Sequence, residues 1–154
     1  MLLTSHYEHT IDAKNRLAIP ADVRARWRPE EHGMGWYAVP WTGQLIRLYP
    51  EKDFETRARS GFLSLTPDDD ESELQATLFG MTKRLEPDAA GRIVIPDQLL
   101  QVTGLSREVV LVGCGDRLEI RDRTAWNQSL AARIEQLPEL LARISAKKER
   151  GEKR

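Results

Sequence analysis

Apolar residues fall along this chain in two periods, and the switches between them mark its elements. Leu3, Tyr7 and Ile11 lie on one side of a partly alternating run of β-formers, which predicts a strand over Leu3–Ile11. Leu17-Ala18-Ile19 and Ile93-Val94-Ile95 are short unbroken apolar runs of the kind a buried strand shows. Arg16–Ile19 is expected to return along the first strand as its hairpin partner, and Arg92–Ile95 to act as the return strand after Thr82–Glu86. Further strands are predicted at Trp36–Val39, Leu45–Tyr49, Val109–Val112 and Leu118–Ile120. Val23 and Trp27 stand at i, i+4 behind Pro20, the spacing of a short amphipathic helix. Helices are also expected from Glu51 to about Arg59, behind the acidic run Asp68–Glu73, and over Asp97–Val102, which Gly104 closes. The last helix runs from Arg123 to Leu137, is interrupted by Pro138, and resumes from Glu139.

One nine-residue pattern occurs twice within this scheme. Asp12-Ala13-Lys14-Asn15-Arg16-Leu17-Ala18-Ile19-Pro20 and Asp88-Ala89-Ala90-Gly91-Arg92-Ile93-Val94-Ile95-Pro96 share Asp, Ala, Arg, an aliphatic, a small apolar residue, Ile and Pro at a separation of 76 residues. Leu48 and Phe54 match Ile120 and Trp126 at a separation of 72, so the first copy is four residues longer, an excess expected around Trp36–Trp41. Two copies at such a distance indicate one supersecondary unit used twice, not a solenoid. Locally the pattern is a tight turn feeding a strand. Asp12 and Asp88 can bond their own backbone two residues on, while Gly91 and Asn15 tolerate positive φ. Pro20 and Pro96 close the strands and suit the first turn of a helix. Each turn therefore holds one arginine, Arg16 or Arg92, and the first adds Lys14.

The composition narrows what such a unit can do. With 154 residues, 40% hydrophobic and 31% charged, the chain is globular, and half of it is too small to bury a core of its own. A net charge of −1 gives no global field toward nucleic acid or membrane, so any such attraction must be local. Lys14, Arg16, Arg24, Arg26 and Arg28 form the most basic stretch of the first half, opposed only by Asp22. One cysteine, Cys114, excludes an internal disulfide and suits a reducing cytoplasm. The N-terminus lacks a signal-peptide core, and no apolar run reaches membrane-spanning length.

Catalysis and metal binding find little footing in these residues. His6, His9, His32 and Cys114 match no zinc spacing, and a gap of three puts His6 and His9 on opposite faces of a strand. The run Asp68–Glu73 lacks the glycine and spacing of a calcium loop and is expected to be a helix N-terminus. Cys114 lies between two glycines beside Asp116, a poor setting for a nucleophile. Trp27, Trp36, Trp41 and Trp126 suit either core packing or a protein interface, and the charged tail with Lys147, Lys148, Arg150, Lys153 and Arg154 is expected to be a solvated helix end. Arg16 and Arg92 have two roles open to them: a bond back to Asp12 or Asp88 that fixes the turn, or contact with a ligand.

The paired motif, Asp-x-Lys-x-Arg-x-x-x-Pro and then Asp-x-x-Gly-Arg-x-x-x-Pro, resembles the MraZ family of bacterial regulators, as do Tyr7–Asp12, Leu48-Tyr49-Pro50-Glu51 and Leu118-Glu119-Ile120. The sequence departs from the family pattern at Asn15 (usually Gly), Ala90 (Lys) and Arg121 (often Trp). The resemblance implies a β-rich α+β fold: two tandem AbrB-like swapped-hairpin units form one pseudo-two-fold β-barrel core with peripheral helices. The first repeat would span residues 1–62, an acidic helical linker 63–80, the second repeat 81–137 and a charged tail 138–154. It further implies a non-enzymatic, cofactor-free transcriptional regulator of the cytoplasm and nucleoid. Such a regulator represses its own division and cell-wall operon by binding tandem promoter repeats in double-stranded DNA as a homo-oligomeric ring. Carried over by position, Lys14, Asn15, Arg16, Gly91 and Arg92 are the DNA-binding residues, and Asp12, Asp88, Pro20 and Pro96 structure the turns. The alternative is a ring-forming protein scaffold without specific DNA binding.

Overall fold

The computed structural model describes residues 1–152; Lys153 and Arg154 of the charged tail lie outside them. In chain order the elements are β1 (His6–Thr10), β2 (Arg16–Ala18), α1 (Ala21–Arg26), α2 (Pro29–His32), β3 (Trp36–Trp41), β4 (Leu45–Pro50) and α3 (Glu51–Gly61). There follow α4 (Asp69–Met81), β5 (Lys83–Leu85), β6 (Arg92–Val94), α5 (Asp97–Thr103), β7 (Glu108–Gly113), β8 (Leu118–Asp122) and α6 (Arg123–Glu152). The fold is α+β, as expected. The chain divides into two compact units, Met1–Arg123, which carries every strand named above, and the helical stretch that begins at Thr124.

Strand pairing departs from the local hairpins that the sequence predicts. A six-stranded antiparallel sheet has the order β1-β7-β8-β4-β3-β5, and β2 pairs only with β6 in a separate two-stranded ribbon. β1 thus takes its partner from the second copy of the repeat, β5 takes β3 from the first, and β2 and β6 take each other. The cause is burial. Leu17 is fully buried and needs an apolar residue opposite, which Ile93 supplies, while β1 pairs along its whole length with β7, whose Val109, Val110 and Leu111 are fully buried. A local β1–β2 hairpin would leave Leu17 without Ile93 opposite it and the buried strand β7 without its partner at that edge.

The four-residue excess of the first copy is also elsewhere than expected. Trp36–Trp41 is a regular strand that matches β7 at the same separation of 72, and the additional residues form the short helix α2 between α1 and β3. Pro29 at the start of α2 and His32 at its end mark it; Nδ1 of buried His32 accepts the Arg28 amide at 2.9 Å and caps the turn. Pro138 does not interrupt α6, which is continuous from Arg123 to Glu152. A proline inside an exposed helix forfeits one backbone hydrogen bond, yet the flanking turns keep the helical path. Pro20, Pro50 and Pro96 each occupy the residue just before a helix, with φ of −54°, −54° and −60°. Asp68 caps α4 by accepting the Glu71 amide at 2.8 Å, so the acidic run is a helix N-terminus.

The core is one cluster fed by both copies: Leu17, Ile19, Ile93 and Ile95 from the ribbon lie against Trp36, Leu48, Leu111 and Ile120 of the large sheet. The ribbon's inner face is therefore held by the same apolar contacts that hold the domain. Leu17→Ala should lower the free energy of unfolding by about 2–5 kcal/mol, measured by urea denaturation. Val94→Ala, on the ribbon's exposed face, should change it by no more than about 0.5 kcal/mol.

Candidate nucleic-acid interface

Each repeat builds the same small device from its aspartate. Asp12 Oδ1 accepts the amides of Lys14 and Arg16 at 2.9 and 2.8 Å, and its Oδ2 accepts Nε–H of Arg16 at 2.6 Å. Asp88 repeats the arrangement, accepting the amides of Ala90 and Arg92 at 2.9 and 3.0 Å and Nε–H of Arg92 at 3.1 Å. The turns close through Asn15 and Gly91, whose φ values are 63° and 78°. Asparagine and glycine are the residues that tolerate this backbone. The Arg16 amide, then its guanidinium and the Lys14 amide, hold the Asp12 carboxyl below its ordinary value; for Asp88 the Arg92 amide is the largest cause.

The exchange of strands then brings the two devices onto one ribbon. Ile19 N–H donates to the Gly91 carbonyl at 2.9 Å, and Ile95 N–H to the Asn15 carbonyl at 2.8 Å, so each loop is stitched to the strand of the other copy. Leu17 lies opposite Ile93 on the buried face, which turns Arg16, Ala18, Arg92 and Val94 to the outer face. Arg16 lies opposite Val94, and Ala18 opposite Arg92. The two arginines are thus diagonal neighbours on one surface, roughly 7–8 Å apart at their Cα atoms by ordinary sheet geometry. Their side chains are 32% and 38% exposed. The bond to aspartate uses Nε, so both terminal amino groups of each guanidinium remain for a ligand. The turn-fixing role and the ligand-contact role are compatible in one side chain.

Lys14 is exposed and has no side-chain partner among the described residues. Asn15 Nδ2 donates to Asp97 Oδ1 at 2.6 Å, and Arg107 Nη1 to the Asp12 carbonyl at 2.6 Å, tying the first loop to the second copy. These last two contacts span 82 and 95 residues and left no local pattern in the sequence. Of the remaining basic stretch, Arg26 pairs with Asp22 at 3.6 Å and Arg28 with Glu31 at 3.5 Å, whereas Arg24 Nε donates to the Ile19 carbonyl at 3.1 Å.

The other candidate groups are dispersed. His6 and His9 alternate between the outer and the half-buried side of β1, and His9 has its affinity for protons lowered by burial and then by Arg123. Burial, followed by Glu119, pushes the Cys114 thiol up to about 11, which leaves it a poor nucleophile at neutral pH. Among the described residues no group of three or more His, Cys, Asp or Glu is placed to hold a metal, and no helix is long and apolar enough to cross a membrane. An ion cluster escaped the sequence reading: Glu119, 2% exposed, accepts from Arg117 at 2.8 Å and also pairs with Arg121 and, at 3.4 Å, with Arg47. Burial raises the Glu119 carboxyl, but Arg121 and Arg117 outweigh it and the net direction is down. Its only sequence trace is the alternation Arg117-Leu118-Glu119-Ile120-Arg121.

A family model described as "MraZ protein, putative antitoxin-like" matches residues 78–144. A transcriptional regulator MraZ of Syntrophomonas wolfei is 31% identical over 146 residues, covering 91% of this chain and 96% of that protein. The chain belongs to the MraZ family. A Shewanella frigidimarina MraZ is 34% identical over 121 residues, with 78% and 79% of the two chains covered, and one from Mycoplasmopsis pulmonis is 27% identical over 127 residues, with 82% and 83% covered. MraZ membership places the chain among transcriptional regulators and not among enzymes.

Because the folded loops hold Asp12 and Asp88 below the ordinary aspartate value, their contribution is complete above about pH 3.9 and is lost as pH falls through the lowered value. The backbone amide shifts of Lys14, Arg16, Ala90 and Arg92 should therefore titrate with midpoints below about 3.9 in an NMR pH series. Midpoints at or above that value would contradict the loop geometry.

Proposed function

We propose that the outer face of the β2–β6 ribbon is a sequence-reading surface for double-stranded DNA. The observation that carries this is the placement of Arg16 and Arg92 on one exposed face of a two-stranded antiparallel ribbon whose other face is fully buried. The major groove of B-DNA admits such a ribbon, and an arginine fork bridges O6 and N7 of guanine, worth about 1–3 kcal/mol of discrimination. Lys14, an exposed point charge in the first loop, suits a phosphate. Asn15 and Gly91 shape the loops that carry these cations to the groove, with Asp12, Asp88, Pro20 and Pro96 fixing the turns.

One ribbon on a chain of net charge −1 gives little affinity, so the working species is a homo-oligomeric ring that engages tandem promoter repeats together. Exposed Ile134, Leu137, Leu141 and Ile144 on α6 support self-association, because they recur at spacings of three and four, the seam a helix offers to a partner. Acidic Asp68–Glu73 at the start of α4 and basic Arg143, Lys147, Lys148 and Arg150 on α6 supply opposite charges for a head-to-tail joint between copies. The reciprocal strand exchange supports reading the core as two swapped-hairpin units that form one pseudo-two-fold β-barrel core. In this account the protein acts in the cytoplasm at the nucleoid and represses its own division and cell-wall operon.

Arg16→Ala should leave the oligomer mass unchanged by light scattering and abolish the gel shift of a duplex taken from upstream of the chain's own gene. Wild-type binding should fall steeply with salt, log K against log salt having a slope of about −0.9 per phosphate neutralised. A ring-forming protein that shifts neither this duplex nor a random one would be a scaffold, and the DNA reading would be wrong.

A further inference from the structure

The two loops differ in charge as written: the first carries Lys14 and Arg16, whereas the second has Ala90 in the lysine position and keeps only Arg92. Strand exchange changes what stands beside each loop. Ile19 bonds to Gly91 and not to its own turn, so α1, which follows Ile19 and Pro20, begins next to the second loop. Arg24, one turn into α1, folds back over that loop with its Nε anchored on the Ile19 carbonyl at 3.1 Å. Its side chain covers Gly91: a Cβ at that position would lie 2.4 Å from Arg24 Cδ and 2.7 Å from both Nε and Nη1. Gly91 is consequently buried at the edge of an otherwise exposed loop, while Arg24 is exposed. No carboxylate pairs with Arg24 among the described residues, in contrast to Arg26 and Arg28.

We infer that Arg24 is a second-loop DNA contact, the phosphate-binding cation that the repeat itself lacks at Ala90, delivered across the strand exchange from the first copy. The bond at Nε fixes the arm of the side chain and leaves both terminal amino groups for phosphate oxygens, so part of the ordering entropy is spent before DNA arrives. The equivalent place on α5, four residues after Pro96, is Leu100, which packs against the core, and the first loop is instead met there by Asp97. Each loop thereby presents two cations, Lys14 with Arg16 and Arg24 with Arg92. Gly91, at φ 78°, takes the turn's backbone without strain and leaves open the space that the Arg24 side chain fills.

The inference rests on the ribbon being the DNA-reading surface, and its test separates the two. Wild type, Arg16→Ala, Arg24→Ala, Arg24→Lys and Arg24→Ala/Ala90→Lys are titrated with the upstream duplex and with a random duplex over a salt series. Light scattering and thermal melting check that each variant keeps its mass and fold. Arg24→Ala should weaken binding to both duplexes by a similar factor, roughly tenfold, and reduce the salt slope by about 0.9 for each protomer engaged. Arg24→Lys should keep the wild-type slope, and the added lysine at position 90 should restore it to Arg24→Ala. Wild-type affinity and slope in Arg24→Ala, with Arg16→Ala inactive, would overturn the role of Arg24 and leave the ribbon reading standing. A loss in Arg24→Ala confined to the upstream duplex would overturn the phosphate assignment, and failure of wild type to bind either duplex would overturn both.

Discussion

Leu17 against Ile93 is the contact on which the remainder of the molecule depends. Each is the central residue of a three-residue strand too short to persist unaided, and each is fully buried only because the other copy of the repeat lies opposite. Pairing across the repeats fixes the register, and the register decides which side chains face outward. A slip of one residue would turn Arg16 and Arg92 into the core and expose Leu17 and Ile93, at prohibitive cost. The hydrophobic core and the exposed arginine pair are two faces of one constraint.

Charge is arranged locally in a protein that is nearly neutral as a whole. Asp12 and Asp88 each bind two backbone amides and one guanidinium Nε, so they organise the turns without consuming the arginines' terminal donors. An aspartate placed this way orients the arginine much as a positioned second ligand would. The loops are exposed and small, yet each is fastened to the opposite strand by a backbone bond from Ile19 or Ile95. That fastening couples the geometry of one loop to that of the other.

The periodicity of the sequence located nearly every element, because strands and helices answer to local burial patterns: β4, α3, α5 and β8 lie within a residue or two of where apolar spacing, Pro50 and Gly104 place them. Partners were another matter. Nothing in the apolar run Leu17–Ile19 distinguishes a neighbour eight residues back from one seventy-six residues on, and the burial that decides between them exists only in the assembled core. For the same reason the sequence points to Trp36–Trp41 for the extra residues that form α2, since a four-residue helix leaves almost no periodic signal. In the candidate site, the aspartate turns and the positive φ at Asn15 and Gly91 were legible from residue type alone. Contacts from Asp97, Arg107 and Arg24 were not, because strand exchange determines which helix and which strand end meet each loop.

Amide hydrogen exchange on the intact protein, with and without the upstream duplex, addresses most directly the claim that the two loops act as one surface. DNA binding should slow exchange at Lys14 and Arg16 and, together with them, at Ala90 and Arg92. The amides of Leu17 and Ile93 beneath them should be slow in both states. Slowing confined to α4 or to α6, with both loops unchanged by DNA, would contradict it.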